Sequence, residues 1–178
     1  MTDPAVTAGP ASTSWRRVNL ALIVLALLLV AASIFLFVRS SDSPSDSRAE
    51  TLSRQQEQVT KAATEQTEAF LTVDHEDMDP LIEKVLAGST GEFKQQYEAA
   101  KGNLKAQAQR SQATSSGKVV SVGVTDIDDS DAVVFVAADS KVANKSTKGK
   151  AQPRYYRLKL TMSREGGRWR TSSLQFVA

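Results

Sequence analysis

The chain has 178 residues, a formal charge of +2 and no cysteine; 41% of it is hydrophobic and only 6% aromatic. Without cysteine there are no disulfides, no thiolate metal sites and no lipid-modified cysteine. Once its apolar N-terminal run is set aside, the rest is about the size of one ordinary domain, with a small core spread over a sheet.

Residues 1–17 form a short tail rich in Ala, Thr, Ser and Pro, a composition expected of a disordered segment. From Val18 to Val38 the sequence reads VNLALIVLALLLVAASIFLFV, with Asn19 and Ser33 its clearly polar side chains. At about 1.5 Å per helical residue, about 21 residues reach roughly 31 Å, enough to cross a bilayer core. The run is longer than the core of a secretory signal, and cutting after Ala31-Ala32-Ser33 would leave Ile34-Phe35-Leu36-Phe37-Val38 on the new N-terminus. It is also apolar all round, unlike a helix that buries one face. The segment is expected to be a retained transmembrane helix. Arg16 and Arg17 before it, against Arg39 after it, place the tail in the cytoplasm and the remainder outside. Trp15 suits the inner interface.

Residues 39–47, ending in SSDSPSDS, read as a polar spacer. An extracytoplasmic domain is expected over 48–178, helical to about residue 110 and a sheet over about 118–177. A long helix from Arg48 to Val73 has a thin apolar stripe of Leu52, Val59, Ala62, Ala63, Ala69 and Phe70. Asp79 reads as the N-cap of a second helix, with Pro80 at its first position, Leu81, Ile82, Val85 and Leu86 on one face, and Gly88 as its stop. Ser89 and Glu92 have the spacing of a capping box opening a third helix. Along that helix Phe93, Tyr97, Ala100, Leu104 and Ala108 recur at helical spacing, as core residues do.

After Gly117 the period shortens to that of a strand. Val120, Val122 and Val124 alternate with polar or small residues. Asp128–Asp131 makes a turn, and Ala132–Ala138 is apolar enough for a central strand. Ser140–Pro153 reads as a polar loop carrying Lys141, Lys145, Lys148 and Lys150, with Arg154 just beyond. Tyr156, Leu158, Leu160 and Met162 then alternate with Tyr155, Arg157, Lys159 and Thr161, and Gly166-Gly167 makes the last hairpin turn. Trp169 is out of phase with Leu174 and Phe176, so a bulge near Thr171–Ser173 is needed to put all three on one face. Helices followed by about four antiparallel strands in hairpin succession predict an α+β fold, helices on one face of a curved sheet.

This layout resembles the nuclear transport factor 2-like (cystatin-like) cone and, more narrowly, the Mce-associated membrane proteins of actinobacteria. The matching features are the short tail, the span Val18–Val38, the acidic helix ending Phe70-Leu71-Thr72-Val73, the segment Leu81–Leu86, and the turn Ser89-Thr90-Gly91-Glu92-Phe93 followed by Tyr97. The valine-rich strands and the ending Gly167-Arg168-Trp169 through Leu174 fit as well. The resemblance implies no catalytic residues, and an accessory or stabilising role beside lipid-importing Mce complexes. Conjugation-channel proteins of the VirB-eight type share the anchor-plus-cone plan, and fold alone does not choose between them.

Catalysis in such a cone needs a buried carboxylate or an Asp–His pair with tuned pKa values. The single histidine, His75, sits in the polar stretch Val73-Asp74-His75-Glu76-Asp77, a pattern more typical of a solvated connection. Asp126, Asp128, Asp129 and Asp131 resemble calcium ligands but lack the central glycine and closing glutamate of a helix–loop–helix site. No phosphate-cradling glycine motif or nucleophile elbow is present. The expectation is a protein that is not an enzyme and has no catalytic residue, cofactor or metal.

Charge is segregated: residues 42–100 hold 13 acids against 5 bases, and residues 101–178 hold 14 bases against 6 acids. Lys141, Lys145, Lys148, Lys150 and Arg154, continued by Arg157 and Lys159, are the candidate surface for a partner: anionic lipid, wall polymer or an acidic protein face. Without interleaved aromatics in the loop, nucleic acid is not expected. Phe93, Tyr97 and Trp169 are the candidate pocket or core residues. The expected function is a single-pass, membrane-anchored scaffold of an envelope complex, with Mce-type transporter subunits as partners and a homo-oligomer as a further possibility. The alternatives are a subunit of a secretion channel, or a small-ligand binder with an open apolar mouth.

Overall fold

The computed structural model describes residues 44–177, together with Leu29, Val30 and Ser33, which are helical. The expected span 18–38 otherwise lies outside the described residues, as does the tail. Among the described residues no helix is long and apolar enough to cross a membrane. The chain divides into two units, Met1–Glu50 and Thr51–Ala178, and the second holds the fold discussed below.

Among the described residues from 44 onward, three helices and five strands follow in order: α1 (Pro44–Leu71), β1 (Val73–Asp74), α2 (Asp79–Ala87), α3 (Gly91–Ser111), β2 (Thr114–Ile127), β3 (Asp131–Ala143), β4 (Gln152–Glu165) and β5 (Arg168–Phe176). The strands form one antiparallel meander in the order β1-β2-β3-β4-β5. The α+β fold with an antiparallel sheet is as expected, with the two-residue β1 as a fifth strand. β3 is central, which accounts for the apolar run Ala132–Ala138.

The main core lies where α1 crosses the sheet. Val59, Ala63 and Leu71 of α1 pack with Val134, Val136, Leu158, Leu160, Met162 and Trp169. These strand residues alternate with exposed or half-buried ones, so one face of the sheet is covered. The predicted bulge in β5 is present. Met162 faces Thr171 and Thr161 faces Ser173, which leaves Ser172 as the extra residue. Trp169 and Leu174 therefore both reach the core. Gly166 and Gly167 have φ of 58° and 78°, the left-handed pair that a tight two-residue hairpin requires.

Several boundaries differ from the sequence reading. α1 begins at Pro44, inside the stretch expected as a spacer, and ends at Leu71, because Val73 leaves to pair with Ser115. β2 begins at Thr114, so Gly117 lies within the strand and does not precede it. Its lack of a side chain matters there, since a Cβ would sit 2.4 Å from Leu71 Cβ. Val120 was expected on the same face as Val122 and Val124, but it is 63% exposed. A register shift between Val119 and Ser121 turns it outward and puts Val119 against the core. The Val119 N–H is taken by Glu68 Oε1 at 3.2 Å.

The predicted caps also change. Asp79 is the first helical residue, Met78 holds the cap position without a side-chain bond, and Asp79 pairs instead with Lys105 at 2.6 Å. The cap of α3 is Thr90, not Ser89. Ser89 is fully buried and serves another purpose. Its Oγ donates to the Val85 carbonyl (2.6 Å) and accepts from Gln66 Nε2 (3.0 Å), which also donates to Val85 (3.2 Å). Beside it, Thr90 N–H bonds to Thr171 O and Thr171 N–H to Gly88 O, both at 2.9 Å. This knot joins α1, the α2–α3 turn and the edge of β5.

Candidate functional site

An open cavity of about 600 Å³ runs along α3. Phe93, Tyr97, Ala100, Leu104 and Ala108 form one wall, and Phe70, Val73 and Met78 face them. The neutral polar residues Thr72, Gln96, Gln107, Ser111 and Asn144 complete the lining with Ala113. The helical stripe read as core is therefore only partly core: Phe93 and Ala108 are buried, Tyr97 and Ala100 are half-buried, and Leu104 is 36% exposed. Part of the apolar stripe borders a hollow and not a packed neighbour.

Aromatic rings cluster at one end of the cavity. Phe70 lies 6.1 Å from Phe93 and 6.3 Å from Tyr97, and Phe93 lies 6.0 Å from Tyr97, all in tilted arrangements that suit the ring quadrupoles. Phe176 extends the cluster to Tyr156. Burial pushes the Tyr97 hydroxyl above its ordinary pKa, so at neutral pH it is an uncharged hydrogen-bonding group. Every polar group in the lining is thus an amide or a hydroxyl. Such a surface can orient a ligand, but it offers no carboxylate or imidazole to move a proton.

Trp169 is not part of this cavity. It is 6% exposed in the sheet core, and beyond it a smaller crevice of about 280 Å³ is bounded by Gly88 and Arg170. Of the three candidate pocket residues, the fold thus brings Phe93 and Tyr97 together and separates Trp169.

The basic residues also divide. Lys141 lies on β3 and Arg154 on β4, so the loop itself is residues 144–151 and carries Lys145, Lys148 and Lys150. Side chains alternate along β4, which sends Arg157 and Lys159 to the uncovered face with Tyr155 (77% exposed), and Arg154 to the opposite one. The seven residues are not one continuous patch. The loop is internally braced: Asn144 Oδ1 accepts from Thr147 N–H (3.0 Å) and Ser146 Oγ (2.6 Å). It is also docked on α3, where Lys145 N–H donates to Ser111 O at 2.9 Å.

His75 is half-buried, and its N–H continues the β1 ladder to Ala113 O at 3.0 Å. Asp128 is occupied in the β2–β3 turn. Backbone N–H groups of Ser130 and Asp131, each 2.7 Å from Oδ1, and the Ser130 hydroxyl hold its carboxyl below the usual range. Sequence reasoning missed Phe70, Met78 and Asn144 as cavity residues. Phe70 lies on the same helical stripe as Val59 and Ala63, so its spacing reads as core and gives no sign of the cavity.

Residues 18–178 match the family described as "Uncharacterized protein Rv1363c/MT1408-like". The chain belongs to this family. A curated relative, "Uncharacterized protein Rv1363c" of Mycobacterium tuberculosis (strain ATCC 25618 / H37Rv), is 34% identical over 96 residues, 54% of this chain. The chain spans little more than a third of that relative, 36% of its length. Among solved structures, an IcmL-like type IV secretion system protein of Legionella pneumophila has a TM-score of 0.55 at 13% identity, covering 67% of this chain and 90% of that one. CagV, a VirB8 homolog of Helicobacter pylori, has a TM-score of 0.53 at 6% identity, covering 67% and 95%. A periplasmic fragment of TraM has a TM-score of 0.54 at 6% identity, covering 68% and 96%. At these identities the likeness is one of fold.

Proposed function

We propose that this chain is a non-enzymatic, membrane-anchored scaffold subunit of a cell-envelope assembly, with its N-terminus in the cytoplasm and its α+β domain on the far side. The observation that carries the reading is the extent of the family match. It begins at residue 18, so the apolar run and the folded domain recur as one unit. An anchored domain works by confinement: holding it at the membrane raises the effective concentration of its contacts, so each can be weak.

The resemblance of the chain's motifs to Mce-associated membrane proteins favours an Mce-type lipid transporter as the assembly. A secretion channel is the second reading, favoured by likeness of fold to the IcmL-like protein, CagV and TraM. Crosslinking in native membranes, followed by partner identification, separates them. Mce subunits among the products support the first, and a translocation ATPase complex supports the second. A C-terminal tag that reacts with impermeant reagents only after lysis would overturn the topology on which both depend.

A further inference from the structure

The cavity along α3 and the docked lysine loop meet. Asn144 and Ser111 line one end of the cavity, and Lys145 N–H is bonded to Ser111 O. The next residues of the same loop carry Lys148 and Lys150. The side chains of Lys145, Lys148 and Lys150 are exposed, and none is in a salt bridge among the described residues. The loop's own hydrogen bonds, Gly149 N–H to Asn144 O (3.0 Å) and Lys150 N–H to Thr147 O (3.0 Å), tie its backbone to Asn144, which lines the cavity.

We propose that this is a binding site for an anionic amphiphile, its acyl chain in the cavity and its headgroup against the loop lysines. The volume is that of a typical small-ligand site. Within it, a ligand meets aromatic and aliphatic walls with neutral amides and hydroxyls between them, so a charge placed inside would find no counterion. The buried part of the ligand is therefore uncharged and apolar. Charge belongs outside, where the three exposed ammonium groups favour an anion. A fatty acid and an anionic phospholipid share this chemistry. The proposal does not depend on which assembly the chain joins.

Photolabelling of the full chain held in amphipol tests it. Three diazirine probes are compared: palmitate, phosphatidylglycerol labelled on one acyl chain, and hexadecanol as the uncharged control. Adducts are expected on peptides containing Phe93–Ala108 and Phe70, from at least one anionic probe. The probe that labels more strongly identifies the source. Ala100→Trp fills the cavity, and Leu104→Glu puts a negative charge at a position already in contact with water, which keeps the test valid if the larger substitution impairs folding. Each should reduce labelling about tenfold, the equivalent of losing roughly two buried methylenes. Replacing Lys145, Lys148 and Lys150 with Ser should reduce it roughly threefold to tenfold, as expected for exposed charge contacts. Adducts confined to other segments, or labelling unchanged in Leu104→Glu, would overturn the site. Equal labelling by hexadecanol, or no change in the triple lysine variant, would overturn the headgroup assignment.

Discussion

Two apolar faces of this domain look alike in sequence and differ in what they meet. On β4, Leu158, Leu160 and Met162 are fully buried beneath α1. On α3, Phe93, Tyr97, Ala100, Leu104 and Ala108 border open space. Hydrophobic periodicity reports which side of an element is apolar, not whether a neighbour is large enough to fill the volume opposite. The sheet face is closed because Val59, Ala63 and Trp169 lie on it. The α3 face borders a hollow because small residues, Ala100 and Ala108, alternate with its large ones, and the residues across from it, Phe70, Val73 and Met78 among them, do not fill the space.

The largest test of this contrast is Trp169→Ala, expected to cost about 3–5 kcal/mol by leaving a void in the closed core. Denaturant unfolding measures it, and an unchanged midpoint would remove Trp169 from the core. Leu160→Ala should cost about 2–5 kcal/mol. Leu104→Ala should cost under about 1 kcal/mol, because 36% of that residue already meets solvent. Equal losses for the two leucines would mean that the α3 face is as filled as the sheet face. Gly117→Ala forces a Cβ against Leu71 and should cost about 1–3 kcal/mol through overpacking, read as a lowered Tm. Gln66→Ala leaves the polar knot beneath Ser89 incomplete and should cost a similar amount, about 1–3 kcal/mol.

The smallest effect is expected at Asp128. Its carboxyl is depressed by hydrogen bonds in the folded state, so its stabilising contribution is complete above the unfolded carboxylate pKa of about 3.9. That contribution disappears as pH falls through the lower folded value. Asp128→Ala should therefore lower Tm slightly at pH 7, and the difference from the parent should shrink on acidification. A difference that stayed constant at low pH would assign the loss to packing.

How much was legible varied by residue. The bulge at Ser172 could be read because Trp169 and Leu174 fell on opposite parities and both are too apolar to expose. The shift at Val120 could not, since valines occupy both parities there and the outcome depends on Glu68 reaching the Val119 N–H across 51 positions of sequence. Ser89 looked like a cap because its spacing from Glu92 is right for one. Its burial against Gln66 and Thr171 requires three elements to converge, which no local pattern encodes.

The sequence by itself determined the α+β order, the hairpin turns, the covered face of β3 and β4, and which residues could be apolar walls. These depend on local backbone preference and on periods of two or 3.6 residues, which are written in neighbouring positions. Only the tertiary structure decided that Phe93 and Tyr97 border a hollow while Trp169 lies elsewhere, and that the lysine loop closes on the end of α3. Those outcomes depend on the distance between elements remote in the chain, and that distance is set by how their side-chain volumes pack together.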